Sequence, residues 1–322
     1  MKSVKKCMLL LLMLAAILIS GCAVNPGIRE PYHVHLIVKS TETEFWKSVF
    51  AGANAAKSEY NVDLAIFGPE TEEEYEAQNE YIREAIAEGV DAIVFSAINY
   101  TENAEAIDEA VAAGIKVVVI DSDVASEGVS ARIGTDNVEA GRMTAAAVLD
   151  FDVEEIHVGI INMDRHTQNG QEREQGLREV LKADPRVGGI YTVNIPTDRT
   201  SAQSAAENLL AQNPQINALV GLNEPLAVGA ALAIDNLGLK EQVHVVGFDT
   251  NTTCIELMRT GVVTALIAQN PYAMGYLGIE TACKVLEGTE FDNTEMIDTA
   301  TTIITKDNMF TPENQRVMFS FG

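Results

Sequence analysis

Basic residues are scarce in this chain. Lys and Arg number 22 against 47 Asp and Glu, giving a formal charge of −25 at neutral pH. Nucleic-acid phosphates demand a basic footprint, so a nucleic-acid partner is excluded. The same imbalance argues against docking flat on an anionic membrane. Cysteines are few: Cys7, Cys22, Cys254 and Cys283 stand at no metal-ligand spacing. Histidines are few and unclustered. His33, His35, His157 and His244 lie inside or at the start of apolar runs, and only His166 falls where a cleft would be. No P-loop, HExxH or GxSxG motif is present. No catalytic residue, cofactor or metal site is therefore expected. Low-complexity tracts and short-period repeats are also absent.

Long apolar runs are equally rare. Met8 to Ile19 is an unbroken apolar stretch behind Lys2, Lys5 and Lys6. As a helix it would reach about 18 Å, well short of a hydrocarbon core of about 30 Å. A basic head with a short apolar body reads as a secretory signal rather than a span. Ile19-Ser20-Gly21-Cys22 follows and resembles a lipobox. Residues 1–21 are expected to be a lipoprotein signal peptide, and 22–32 the lipidated Cys22 with a short linker. The body would then sit at the cell membrane, lipid-anchored on the extracytoplasmic face. Losing the three signal lysines takes its charge from −25 to −28, so the anionic surface repels what the lipid tethers. Cys254 and Cys283 remain, either as an exported disulfide or as two small buried side chains, the reading we prefer.

What the chain does have is an alternation. Short apolar runs appear at 34–38, 62–67, 92–95, 116–120, 156–161, 189–193, 217–221 and 243–248. Between them lie segments of helical spacing. Phe45, Val49, Ala53 and Ala56 mark one helix face, and 71–89 and 101–113 each end at a glycine. Thr71, Thr101 and Asp136 read as helix caps. Glu72, Glu73, Glu74 and Glu76 read as a solvated helix face. Continuous β-branched runs alternating with amphipathic helices imply parallel strands covered on both faces. The pattern restarts at Asp136, so the expected fold is α/β, with two doubly wound parallel-sheet lobes.

In open α/β sheets ligands bind beyond the carboxyl ends of the strands. Lys39, Thr43, Ser96, Asp121, Asp123, Asp164 to His166, Asn223, Glu224 and Asp249 all stand there. Asp121, Asn223 and Asp249 are the strongest candidates for ligand contact. Phe45 and Trp46 are neighbours, so both cannot face the core of one helix; Trp46 is expected to face the cleft. An aromatic face beside carboxylates and amides suits a sugar-like ligand.

The ordered set of FW after the first strand, VVVID, QEREQG, LNEPLAVGAA, VVGFD and LIAQNP resembles the type I periplasmic sugar-binding proteins, the ribose-binding protein group. The resemblance implies ligand contacts from Thr43, Phe45, Trp46, Asp121, Asn223, Asp249 and Gln269. It also implies two lobes joined by a hinge, one of residues 33–135 plus 270–298 and the other of 136–269 plus 299–322. Departures bear on the ligand. Gln171 stands where the family carries an arginine, Thr197 replaces an aromatic, and Asp121-Ser122-Asp123 replaces Asp-Arg. Two cationic clamps are thus expected to be missing, with Arg165 a candidate replacement. Lys39 and the Asp-Ser-Asp look more like the branch that binds rhamnose or the furanosyl autoinducer. A cleft with Asp121, Asp249 and Glu224 but few cations also suits an amine-bearing sugar. The implied function is a monomeric binding protein that captures a small sugar by hinge closure and delivers it to an ABC permease. The alternative is a sensing receptor presenting its closed form to a membrane kinase or chemoreceptor.

Overall fold

The computed structural model describes residues 30–319. The expected signal peptide, Cys22, most of the linker and residues 320–322 lie outside the described residues.

The chain runs β1 (Tyr32–Ile37), α1 (Glu44–Tyr60), β2 (Val62–Phe67), α2 (Tyr75–Glu88), β3 (Ala92–Phe95), α3 (Ala104–Ala112), β4 (Lys116–Ile120) and β5 (Ala131–Gly134). The alternation then repeats as α4 (Asn137–Leu149), β6 (Ile156–Asn162), α5 (Gln168–Leu181), β7 (Val187–Asn194), α6 (Arg199–Gln212), β8 (Ala218–Gly221), α7 (Glu224–Leu237), β9 (His244–Phe248), α8 (Thr252–Thr260) and β10 (Val263–Ala268). It closes with α9 (Pro271–Leu286), β11 (Met296–Asp298), β12 (Thr302–Thr305) and α10 (Pro312–Met318).

One sheet has the order β11-β5-β4-β3-β1-β2 and the other β12-β10-β9-β8-β6-β7. The β10–β12 pairing is antiparallel. The pairings of β1 with β2 and β3, and of β6 with β7 and β8, are parallel. These are the two doubly wound lobes that the alternation implies. Their orders correspond strand for strand, so β4 in the first lobe occupies the place of β9 in the second. The chain passes from one sheet to the other after β5, after β10 and after β11.

Burial explains the continuous apolar runs. β3 and β8 are buried at every residue, as strands covered on both faces must be. Leu36, Val94 and Ile120 pack with Trp46, Ala53 and Met274 on one face. Ile37, Ile93 and Val119 pack with Ile82 and Ile107 on the other. That alternation follows from the two-residue period of a strand. All eight expected runs form strands. Absent from that set are β5, β10, β11 and β12, three of which are only three or four residues long.

Helix starts differ from expectation. α2 and α3 begin at Tyr75 and Ala104, so Thr71 and Thr101 precede their helices and cap neither. Asp136 does cap α4, its carboxylate accepting from Glu139 N at 2.9 Å. Cys254 is buried in the core of the second lobe and Cys283 in that of the first, so no disulfide joins them.

Each lobe holds one unusually close helix crossing. A Cβ on Gly52 of α1 would meet Tyr272 O of α9 at 2.0 Å. A Cβ on Gly141 of α4 would meet Arg173 O of α5 at 2.1 Å. In both places only glycine lets two helix backbones touch. No helix among the described residues is long and apolar enough to cross a membrane.

Candidate functional site

The carboxyl ends of both sheets face one cavity, with about 280 Å³ of empty space. Nine of the expected residues line it: Lys39, Thr43, Phe45, Trp46 and Asp121 from the first lobe, Asn223, Glu224 and Asp249 from the second, and Gln269 at a crossing.

Asp121 and Asp249 occupy equivalent places, directly after β4 and β9. Both adopt left-handed backbone conformations, with φ of 59° and 67°. Few residues other than glycine tolerate that region, and such outliers cluster at ligand sites. Asp121 accepts from Ser96 Oγ at 3.0 Å and lies 3.5 Å from Lys39 Nζ. Lys39 also lies 3.5 Å from Glu72. Burial pulls the Lys39 pKa down, but Glu72 and Asp121 more than offset it, and the net direction is upward. Asp249 accepts from Gln269 Nε2 at 2.6 Å and from Glu224 N at 2.9 Å. Burial pushes its pKa up to about 6, against the opposing charge of Arg173.

The structure corrects three expectations. Gln171 does not line the cavity; Arg173 does. Two residues along a helix turn a side chain by about 200°, whereas four bring it back to the same face. Asn169 and Arg173 thus point together into the cleft, so Arg173 supplies one of the two cationic clamps expected to be missing. Its register was readable from the buried face Asn169, Arg173, Leu177 and Leu181. Arg165 is exposed and takes no part in the cavity lining. Asp123 points away: its carboxylate accepts from Arg132 Nε at 2.8 Å on an outer groove, because the left-handed turn at Asp121 redirects the chain. Trp46 lines the cavity as expected and Phe45 lines it too, the two being 1% and 8% exposed. Sheet and opposing lobe together enclose both sides of the helix start, so neither neighbour is left in solvent.

Glu72 was read as a solvated acid. It lies before α2, only 10% exposed at its side chain, and accepts from Trp46 Nε1 at 3.0 Å. Met163, Asn169 and Pro225 complete the lining.

Arg173 is the buried organiser. Nε donates to Asn137 Oδ1 at 2.9 Å, Nη1 to Leu222 O at 2.8 Å and Nη2 to Gln269 Oε1 at 3.0 Å. Its guanidinium lies 3.9 Å from the centre of the Phe248 ring, a cation–π contact. Burial lowers its pKa, while Asp249 and Asp121 oppose that shift. Gln269 Oε1 also accepts from Thr135 Oγ1 at 2.7 Å. Two of the crossings between the sheets, Thr135 and Gln269, are thereby tied to Arg173 and Asp249.

The lobes are closed upon one another. Glu224 reaches across to accept from Phe45 N at 2.8 Å and Glu44 N at 3.4 Å, at the start of α1. Glu44 answers by accepting from Thr252 N and Oγ1, both at 3.0 Å, at the start of α8. Glu73 accepts from Thr197 N at 2.8 Å. A carboxylate at a helix N-terminus satisfies orphan N–H groups and meets the positive end of the helix dipole. Burial raises the pKa of Glu224 to about 7 even so, with Asp249 adding to the rise.

The chain belongs to the periplasmic binding protein domain family, whose model matches residues 34–290. Within it the chain is a type I sugar-binding protein by fold and by relatives. It is 25% identical over 299 residues to the ribose import binding protein of Bacillus subtilis, covering 90% of this chain and 96% of that one. A carbohydrate transporter solute-binding protein from Agrobacterium radiobacter, solved with D-arabinose, aligns with TM-score 0.86 at 26% identity, over 90% of this chain and 100% of that one. An Agrobacterium vitis solute-binding protein with bound D-fucose aligns with TM-score 0.85 at 27% identity, over 89% and 100%.

Proposed function

We propose that this protein captures a monosaccharide-sized sugar outside the cytoplasmic membrane by closing two lobes around it, and delivers it to an ABC permease. The observation that carries the reading is the closed cavity, where Phe45 and Trp46 stand beside acids, amides and Arg173. Aromatic faces suit the C–H side of a sugar ring, and the polar groups suit its hydroxyls. The relatives that bind ribose, arabinose or fucose support a pentose or a hexose of similar size. Both lobes contribute contacts, so ligand favours the closed form, as hinge closure requires. The protein acts by binding rather than catalysis. A lipid on Cys22 would hold it at the membrane, where the permease sits.

Trp46 is the chain's single tryptophan, so its fluorescence reports the cavity directly. The purified protein is titrated with pentoses, hexoses and deoxy sugars while emission and Tm are followed. Ligand at 100 times Kd adds about 2.7 kcal/mol of stability. A sugar that shifts both signals, with the shift abolished in Asp249→Ala, supports the reading. Silence across the panel overturns it.

A further inference from the structure

The cavity has more negative charge than its own cations balance. Glu72, Asp121, Asp249 and Glu224 face it, against Lys39 and Arg173. Lys39 is shared between Glu72 and Asp121. Arg173 spends its hydrogen bonds on neutral acceptors, namely Asn137, Leu222 and Gln269. The nearest further cation is Arg199, half-exposed at the mouth and 3.5 Å from Glu224. One or two carboxylates are therefore left without a buried counter-charge.

A second observation is independent of charge. Asn169 is 2% exposed and lines the cavity, yet its Oδ1 has no hydrogen-bond partner. Its Nδ2 donates to Asp121 Oδ1 at 3.3 Å. That contact fixes the orientation of the amide, because an amide oxygen turned to a carboxylate would be repelled. Leaving a buried acceptor without a donor is destabilising, so this oxygen calls for a donor on the ligand.

The approach to the cavity has the same sign. An outer pocket shares Thr43, Glu72 and Pro225 with it, and presents Glu42, Glu44, Glu70 and Asp198 against Lys47 and Arg199. A mouth with an excess of one sign of charge concentrates solutes of the other.

Resting on the sugar-binding reading above, we propose that the ligand is cationic: a sugar or polyol of monosaccharide size bearing an ammonium group. An ammonium offers only donors, which Asn169 Oδ1, Asp249 and Glu224 can accept, and its charge balances what the hydroxyls of a neutral sugar cannot. The faces of Phe45 and Trp46 attract a cation as well as a C–H surface.

The test compares amines with their parent sugars on the whole protein at pH 7.5. Galactosamine and glucosamine are titrated beside galactose and glucose, and 1-amino-1-deoxyribitol beside ribitol and ribose. The expected result is an amine bound about tenfold or more tightly than its neutral parent. That preference should collapse in Glu224→Gln and in Asp249→Asn, and the association rate should fall with added salt. Two variants are used so that a folding defect in one leaves the other to report. A neutral sugar bound as tightly as its amine overturns the cationic ligand and leaves the sugar-binding reading intact. No binding of any compound overturns both.

Discussion

Arg173→Met is the sharpest test of how the site is held. The substitution keeps an unbranched side chain over the Phe248 ring but removes the guanidinium. Leu222 O and Asn137 Oδ1 then lose donors that lie 2.8 and 2.9 Å away. Gln269 Oε1 keeps Thr135 as a donor, so its loss is smaller. Asp249, buried and pushed up to about 6 with Arg173 opposing that rise, loses its nearest compensating charge. Removing one partner from a buried ionic network costs about 3–5 kcal/mol. At about 2–4 °C per kcal/mol, Tm should fall by about 10 °C. Arg173→Lys keeps the charge but cannot reach three acceptors at once, and should fall between the two. The loss should be smaller at pH 5 than at pH 8, because without Arg173 the Asp249 carboxyl protonates more readily and sheds its charge. Urea unfolding, followed by circular dichroism at both pH values, reads all of this. A methionine variant within about 1 kcal/mol of wild type at pH 8, with no pH trend, would refute the assignment of Arg173 as organiser.

Two further outcomes follow from the same geometry. Gly141→Ala places a Cβ 2.1 Å from Arg173 O, so α4 and α5 must separate; stability should drop by about 1–3 kcal/mol, and sugar affinity should drop with it because Arg173 moves. Gly52→Ala makes the equivalent clash with Tyr272 O and should destabilise similarly in a melting experiment, so equal stability to wild type in both variants would contradict the close crossings. The pKa values of Glu224 and Asp249 are raised to about 7 and about 6 above ordinary values of 4.5 and 3.8. The folded, closed protein therefore binds more protons than the unfolded chain across that window. Their favourable contribution is complete below about pH 4 and is lost as pH rises through about 6 and 7. A shift of this size on Glu224 corresponds to about 3 kcal/mol. The ligand-free protein should thus lose stability from pH 4 to 8 relative to Glu224→Gln, and parallel pH profiles for the two proteins would contradict the burial of that charge.

Much of the architecture was legible in residue order because it depends on local patterning. Strands buried on both faces must be apolar at every position, so VVVI and VVGF declare themselves. Polar residues just beyond them must lie at the sheet edge, which is why Asp121 and Asp249 could be singled out. The second lobe's correspondence to the first was visible as a restart of the same alternation. Short edge strands such as β11 and β12 carry too few residues to show a pattern, and tertiary pairing alone makes them strands.

The inner face of the cleft was less legible, because it depends on angles that residue order does not carry. Moving from Gln171 to Arg173 reverses the direction of a side chain, and packing of α5 on α4 sets which one faces inward. Glu72 is indistinguishable in composition from Glu74, yet Lys39 and Trp46 draw it into the interior. Phe45 and Trp46 are both buried because a second lobe, remote in sequence, closes over the start of α1. Glu224 becomes a cap for that helix only when the two lobes meet. Local hydrophobic periodicity thus specified the strands, the helices and the edge where a ligand binds, while the charge balance of the cavity arose from contacts made when the two lobes closed together.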